Sequence, residues 1–195
     1  MKMPDQANKP ATLVVVAHPR LSHSRVNKAL VQEIVGLEHV DIIDLYARYP
    51  DFAFDLEVEC GRVLSVQNIV LQFPFQWYST PALLKQWQDS VIHDIVYLSG
   101  REAMMHGKRM MVAMTTGAPA DTYDPLGRNL FSLEDLLKPL RCTANRCGME
   151  WVEPFLAIGV RSLDEAALAE LARSYRNRLL ALQDGRDRVA DMRDD

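Results

Sequence analysis

Apolar runs alternate with amphipathic segments along the whole chain. The apolar runs at 12–18, 40–46, 68–74, 108–116 and 149–160 predict strands, and their continuous apolar character indicates burial on both faces. The amphipathic segments at about 24–35, 55–65, 80–91, 131–147 and 162–182 predict helices. This alternation predicts an α/β fold, a three-layer sandwich around a five-stranded parallel sheet of order 2-1-3-4-5.

Two helix starts have recognisable signals. Thr80 is expected to cap the helix that follows the third strand, and Pro81 suits the first helical position. Ser162 is expected to cap the last helix. The predicted inner face of that helix consists of Leu168, Leu171, Tyr175, Leu179 and Leu182.

Composition and charge narrow the class of protein. The chain has 195 residues, 48% of them hydrophobic and 25% charged, which predicts one domain over 1–195 with a loose arm at 1–11 and a loose charged tail at 184–195. A net charge of −4 with scattered Lys and Arg argues against a nucleic-acid partner. No apolar run is long enough to span a bilayer, and the polar start lacks a secretion signal, so a cytoplasmic location is expected.

The three cysteines, Cys60, Cys142 and Cys147, form no disulfide framework and no recognisable zinc site. We expect them to be packing residues and expect no metal.

The loop after the first strand, "AHPRLSHSRVN", predicts an anion site. It leads into a helix whose first N–H groups have no partner within the helix, and Ser22 and Ser24 add hydroxyls. His18 and Arg25 add positive charge. A phosphate is the natural occupant, although Ser24 could act only as a helix cap and His18 could simply pack at the strand end.

The loops after the third and fourth strands supply aromatic side chains and a glycine at which a ligand would come close to the backbone. "FPFQWYSTP" concentrates aromatic residues that would stack on a flat ligand, or would instead lie in a dimer interface or cover an edge of the core. "TTGAPADTY" supplies two hydroxyls, Gly117 and Tyr123. Because the three loops meet at one sheet edge, a phosphate site and a ring site together describe a flavin nucleotide.

These motifs occur in the order found in a known family. "AHPRLSHSRVN", "YPDFAFD", "FPFQWYSTPALLKQWQDSV", "GREAMMHGK", "TTGAPADTY" and "CGMEWVEPF" resemble the flavodoxin-like NAD(P)H:quinone oxidoreductases. The likeness extends over about 12–182 and is closest to the ancillary flavoproteins of bacterial glutathione-regulated potassium-efflux systems. It implies a flavodoxin-like fold, a bound flavin (FMN or FAD, with FMN favoured), NAD(P)H as electron donor, and a homodimer whose partner chain completes the ring pocket.

The resemblance also implies roles for individual residues. The phosphate region would be contacted by His18, Ser24, Asn27 and the Val26 backbone. The residues expected to wrap the flavin ring are Pro74, Phe75, Gln76, Trp77 and Tyr78, with the N–H groups of Gln76 and Trp77 as donors, and Thr115, Thr116 and Gly117 at the ring edge. Tyr123 would lie over the ring as the catalytic residue, donating to an acceptor oxygen.

Two departures from the family pattern bear on activity. Ala118 stands where many relatives have a second glycine, and the histidine that follows the tyrosine in animal quinone reductases is replaced by the segment Gly127, Arg128, Asn129. A proton relay through that histidine is therefore not expected.

The function implied is two-electron hydride transfer from NAD(P)H through the flavin to a quinone or related acceptor. The alternative is an ancillary regulatory subunit of a potassium-efflux transporter, with little turnover and a peripheral position at the inner membrane. An electron-carrying flavodoxin fits less well, because long-chain flavodoxins are strongly acidic and this chain has a net charge of only −4.

Overall fold

A parallel sheet forms the centre of the molecule. The computed structural model describes residues 11–187. Its strands are β1 (Thr12–Val16), β2 (Val40–Asp44), β3 (Asn68–Pro74), β4 (Arg109–Thr115), β5 (Glu150–Trp151) and β6 (Phe155–Ala157). The order is β2-β1-β3-β4, and both β5 and β6 pair with β4, every pairing being parallel. The predicted fold and the order 2-1-3-4-5 are confirmed.

The fifth position of the sheet is divided between two short strands. β5 pairs with the start of β4, whereas β6 pairs with its end, from Ala113 to Thr115. Pro154 lies between β5 and β6 and has no N–H to donate to the ladder. The predicted strand at 149–160 is therefore two strands rather than one.

Helices cover both faces of the sheet. They are α1 (Arg25–Ile34), α2 (Leu45–Arg48), α3 (Leu56–Ser65), α4 (Ala82–Trp87), α5 (Leu133–Arg146) and α6 (Glu165–Gln183), and α4 continues in π-helical form through Gln88–Ile92 and Asp94–Leu98. One apolar core packs α1 and α6 against the sheet, and the other packs α2 to α5 against the opposite face. The three predicted layers follow from these two cores.

The helix caps differ from the prediction at α4 and α6, and one strand is shorter than predicted. Thr80 does not cap α4, which begins after Pro81 without a side-chain cap, and the buried Thr80 hydroxyl has no partner within residues 11–187. Asp164 rather than Ser162 caps α6, accepting from the Ala167 N–H at 2.8 Å. The second strand ends at Asp44, whose carboxylate caps α2 and so stops the strand short of residue 46.

The two ends of the chain lie largely outside the described residues, which include Ala11 of the predicted arm and 184–187 of the predicted tail. The described part of the tail is anchored, because Arg178 pairs with Asp187 at 3.0 Å and the Asp187 side chain is buried. Within residues 11–187, none of the helices has the length and apolar character needed to cross a membrane.

Candidate functional site

The loop after β1 presents free backbone donors at the start of α1. A 3₁₀ turn, Leu21–His23, leads to Ser24, whose Oγ accepts from the Asn27 N–H at 3.2 Å and caps the helix. The N–H groups of Arg25 and Val26 have no hydrogen-bond partner among the described residues. Two free N–H groups at the positive end of a ten-residue helix form a site suited to an anion.

The side-chain charges of this loop are weaker than expected. Burial lowers the pKa of His18 below its ordinary value of 6.5, and its Nδ1 accepts from the Arg20 N–H at 3.1 Å, so the ring is neutral at neutral pH. Arg25 forms an exposed ion pair with Glu165 at 2.8 Å. The helix end therefore offers donors to an anion without help from the charge of His18, and Arg25 shares its charge with Glu165.

Asn27 joins the first loop to the third. Its side chain is buried, and Nδ2 donates to Thr115 Oγ1 at 2.9 Å. Its Oδ1 is buried without a hydrogen-bond partner within the described part of the chain. Buried polar atoms are nearly always paired in native proteins. Asn27 Oδ1 is therefore an acceptor available to a hydroxyl of a ligand that passes between the two loops.

The aromatic loop after β3 is a tight, strained turn. Gln76 and Ser79 exchange two backbone hydrogen bonds of 3.0 Å each, and the two residues between them, Trp77 and Tyr78, have φ values of 46° and 63°. Both lie in the left-handed region, which costs free energy for residues other than glycine. Trp77 is 93% exposed as a result. Such strain is concentrated at functional sites in proteins, so this turn is a candidate ligand contact.

The donors of this turn differ from those predicted. The Gln76 N–H is already bonded to the Ser79 carbonyl, so it is not available. The N–H groups of Trp77 and Tyr78 have no hydrogen-bond partner within residues 11–187. Of the predicted donor pair, the Gln76 N–H is thus bonded within the turn, whereas the Trp77 N–H is unpaired, as is that of Tyr78.

Phe75 connects the aromatic turn to the third loop. Its N–H donates to the Thr115 carbonyl at 2.9 Å, just after Pro74 ends β3. Its ring centroid lies 6.4 Å from that of Tyr78 and 6.3 Å from that of Tyr123. Phe75 thereby brings the rings of two loops together at one edge of the sheet.

The third loop leaves space at Gly117. The Thr116 hydroxyl donates to the Ala118 carbonyl at 3.0 Å. The Thr116 N–H donates to the Ala157 carbonyl, and this bond holds the loop against β6. A Cβ added at Gly117 would lie 2.7 Å from Arg161 Nε. Glycine therefore keeps a narrow space open between this loop and a guanidinium group.

The aromatic turn and the third loop, with Arg161, surround a cleft of about 430 Å³. The first-loop residues, His18 to Asn27, are not among those that line it. It is lined by Phe75, Trp77, Tyr78, Gly117, Ala118, Pro119, Thr122, Tyr123, Arg128, Asn129 and Arg161. Arg128, Asn129 and Arg161 belong to no sequence motif that predicts a role at this cleft. The first two lie in a segment noted only for its missing histidine, and Arg161 lies after β6, where no local motif marks it.

Two further observations concern a second cavity and the capacity to bind a metal ion. A second cavity of about 450 Å³ lies between α4 and α5, apart from the three loops. Within residues 11–187 there is no cluster of three or more His, Cys, Asp or Glu side chains that could hold a metal ion.

Comparison with known proteins gives the family. The family model for the flavodoxin-like fold, Flavodoxin_2, matches residues 10–179, and the chain belongs to this family. The glutathione-regulated potassium-efflux system ancillary protein KefG of Pectobacterium carotovorum subsp. carotovorum (strain PC1) is 40% identical over 167 residues, which are 85% of this chain and 91% of that protein.

Two other similarities are to a protein named as an oxidoreductase and to a protein solved in complex with FMN. The uncharacterized NAD(P)H oxidoreductase YrkL of Bacillus subtilis (strain 168) is 38% identical over 155 residues, which are 79% of this chain and 88% of that protein. The crystal structure of general stress protein 14 from Treponema denticola in complex with FMN is similar with a TM-score of 0.78 and 33% identity, covering 90% of this chain and 99% of that one.

The residues of the site fit a flavin. Free N–H groups at α1 suit its phosphate, and the buried, unpaired Oδ1 of Asn27 suits a hydroxyl of its ribityl chain. The aromatic turn and the open space at Gly117 suit its ring. The Asn27–Thr115 hydrogen bond joins the start of α1 to the end of β4, which suits a single ligand that lies across both.

Proposed function

We propose that this protein binds FMN and transfers electrons from NAD(P)H to a quinone or a related acceptor. The observation that carries the proposal is the buried, unpaired acceptor Asn27 Oδ1, which lies where the first loop, with its unpaired N–H groups, is hydrogen-bonded to the end of β4. The FMN complex of general stress protein 14 and the oxidoreductase name of YrkL support it.

The phosphate would lie at the start of α1. The Arg25 and Val26 N–H groups and the Ser24 hydroxyl, which accepts as a cap and can still donate, would bind its oxygens. His18, neutral and half-buried, would contact it as a hydrogen-bonding group rather than as a charge. This arrangement accommodates FMN without requiring the second phosphate of FAD.

The ring would lie between the aromatic turn and the third loop. Trp77 and Tyr78 offer free N–H groups, and Thr116 and Gly117 form the opposite side. When bound, the flavin would supply the hydride and electron transfer between NAD(P)H and the acceptor, and the chain's own task would be to orient both and to stabilise charge. Arg161, beside Gly117, and Arg128 both line the cleft and have no ion-pair partner in the described part of the chain, so they are cations available to offset negative charge on a bound flavin.

Quinone-dependent NAD(P)H oxidation, normalised to bound flavin, tests this function. The double variant Ser24→Ala with Asn27→Ala removes one hydroxyl and the unpaired acceptor, so we expect weaker flavin binding and an unchanged rate per bound flavin. Ser90→Ala, at a partly buried position on the α4 extension and away from the three loops, is a control for the loss of a hydroxyl. Absence of quinone reduction by protein that is saturated with flavin would contradict the enzymatic function.

The second candidate function is that of an ancillary subunit of a potassium-efflux transporter. Its support is the 40% identity to KefG over most of both chains. Turnover would then be slow, and the protein would bind at the cytoplasmic side of an inner-membrane transporter. Co-purification with a transporter encoded next to it, together with flavin binding and negligible quinone turnover, would favour this function over the first.

A homodimer completes the proposal. Large apolar side chains are exposed near the cleft and on the α2–α3 connection, which a monomer would leave in water. They are Phe52, Trp77, Leu126, Leu130 and Phe131. Light scattering at micromolar concentration is expected to give about twice the chain mass of 22.1 kDa, and a monomer at every concentration would refute the dimer.

A further inference from the structure

Two buried side chains connect the first turn of α1 to the last helix. Gln72, on the central strand β3, donates from Nε2 to the Asn27 carbonyl at 3.1 Å. Its Oε1 accepts from the Tyr175 hydroxyl of α6 at 3.1 Å. Gln72 and Tyr175 are both fully buried. Together they form a continuous hydrogen-bonded path from α6 through β3 to the first turn of α1.

This path lies in otherwise apolar surroundings. The core on this face of the sheet is built from side chains such as Val14, Val16, Val70 and Met111. A buried amide is costly unless it is hydrogen-bonded, and a leucine of similar size would fill the same space without needing partners. Gln72 is therefore poorly explained by packing alone.

The path ends at the turn that carries the free donors of the site. The Asn27 carbonyl belongs to the same first turn of α1 as the N–H groups of Arg25 and Val26. The Asn27 side chain holds that turn to β4 through Thr115, and Gln72 holds its backbone to β3. The turn is thus fixed to two neighbouring strands, and its orientation depends on both attachments.

We propose that Gln72 and Tyr175 are positioning residues for phosphate recognition. Tyr175 holds the Gln72 amide in the orientation that lets Nε2 bond the Asn27 carbonyl, and this bond sets the direction of the Arg25 and Val26 N–H groups. The inference rests on the proposed flavin site. It adds that α6, which lies outside the three loops, helps to orient the N–H groups that would bind the flavin phosphate.

The test compares FMN with riboflavin, which shares the ring and ribityl chain but has no phosphate. Tyr175→Phe keeps the ring that packs 5.0 Å from the Phe155 ring and removes only the hydroxyl. We expect the ratio of riboflavin Kd to FMN Kd to fall about five- to tenfold, the loss typical of one hydrogen bond, with riboflavin affinity nearly unchanged. Dissociation constants are measured by quenching of flavin fluorescence.

Tyr49→Phe is the matched control. Its hydroxyl donates to Glu59 at 2.8 Å in the core on the other face of the sheet and accepts from Arg48 at 3.1 Å, so its removal breaks a buried hydrogen bond and a second, partly buried one. A general loss of stability would therefore affect Tyr49→Phe at least as much as Tyr175→Phe. We expect Tyr49→Phe to leave the riboflavin-to-FMN ratio at the wild-type value.

Gln72→Leu and the double variant Gln72→Leu with Tyr175→Phe separate positioning from folding. The double variant has an all-apolar path, so it folds even if Tyr175→Phe alone does not. We expect all variants that lack the path to share the same lowered ratio. A wild-type ratio in the double variant would overturn the inference, whereas failure of the wild-type protein to bind either flavin would overturn the proposed function instead.

Discussion

Tyr123→Phe separates catalysis from cofactor binding. The Tyr123 ring packs 6.3 Å from the Phe75 ring at the cleft, and its hydroxyl has no hydrogen-bond partner among the described residues. Removing the hydroxyl therefore breaks no contact within the protein, and the phenylalanine ring preserves the packing. Any change in the rate then reports what the hydroxyl does to a substrate.

The size of the effect distinguishes two roles. A donor that is central to stabilising a developing oxyanion typically contributes about 10²-fold or more to the rate. A hydroxyl that only positions the acceptor contributes on the order of 1 kcal/mol, or about fivefold. We expect the smaller effect, because the free N–H groups of Trp77 and Tyr78 are already available to the ring.

The assay is quinone turnover at saturating NADPH, normalised to flavin content, with flavin affinity measured in parallel. Tyr97→Phe, an exposed tyrosine on the α4 extension, is the control and is expected to leave both unchanged. Loss of flavin from Tyr123→Phe would show that Tyr123 is a cofactor ligand and that its proposed position is wrong.

Three further changes test other parts of the molecule. Glu59→Ala leaves two buried donors unpaired, one of them Trp87 Nε1, which lies 3.0 Å from the Glu59 carboxylate. We therefore expect the free energy of unfolding, measured with urea, to fall by about 3–5 kcal/mol. A fall below about 1 kcal/mol would contradict the buried network. Gly127→Ala places a Cβ against the Asp121 carbonyl oxygen and must open the loop that lines the cleft. Flavin titration is therefore expected to show weaker binding. An unchanged affinity would place this loop outside the site. Because burial lowers the pKa of His18 below 6.5, the unfolded chain binds more protons between the two pKa values, and stability rises with pH across that interval. Urea unfolding between about pH 5 and pH 8 should therefore show a slope that His18→Gln reduces, and an equal slope in the variant would contradict it.

Much of the fold is contained in the local pattern of the sequence. The run at 68–74 coincides with β3, because a strand buried on both faces is continuously apolar. Ser24 and Asp55 mark the starts of α1 and α3 through their side-chain caps. The sheet order follows because the doubly wound arrangement places successive strands in few ways.

The remaining features depend on contacts between distant segments. Asp164 caps α6 in place of Ser162, a choice between two good capping residues that only the path of the preceding chain decides. The Asn27 side chain turns inward to Thr115, and Arg161 reaches Gly117 from the end of β6. No local pattern reports such pairings, because each is set by tertiary packing. The cleft residues that the sequence analysis missed are of this kind.

Titration of the flavin-free protein with FMN tests the central claim most directly. The proposed site predicts saturable quenching of flavin fluorescence with one FMN per chain, and weaker binding of riboflavin because the N–H groups of Arg25 and Val26 then have no phosphate to bind. Absence of saturable binding by both FMN and FAD would contradict the account.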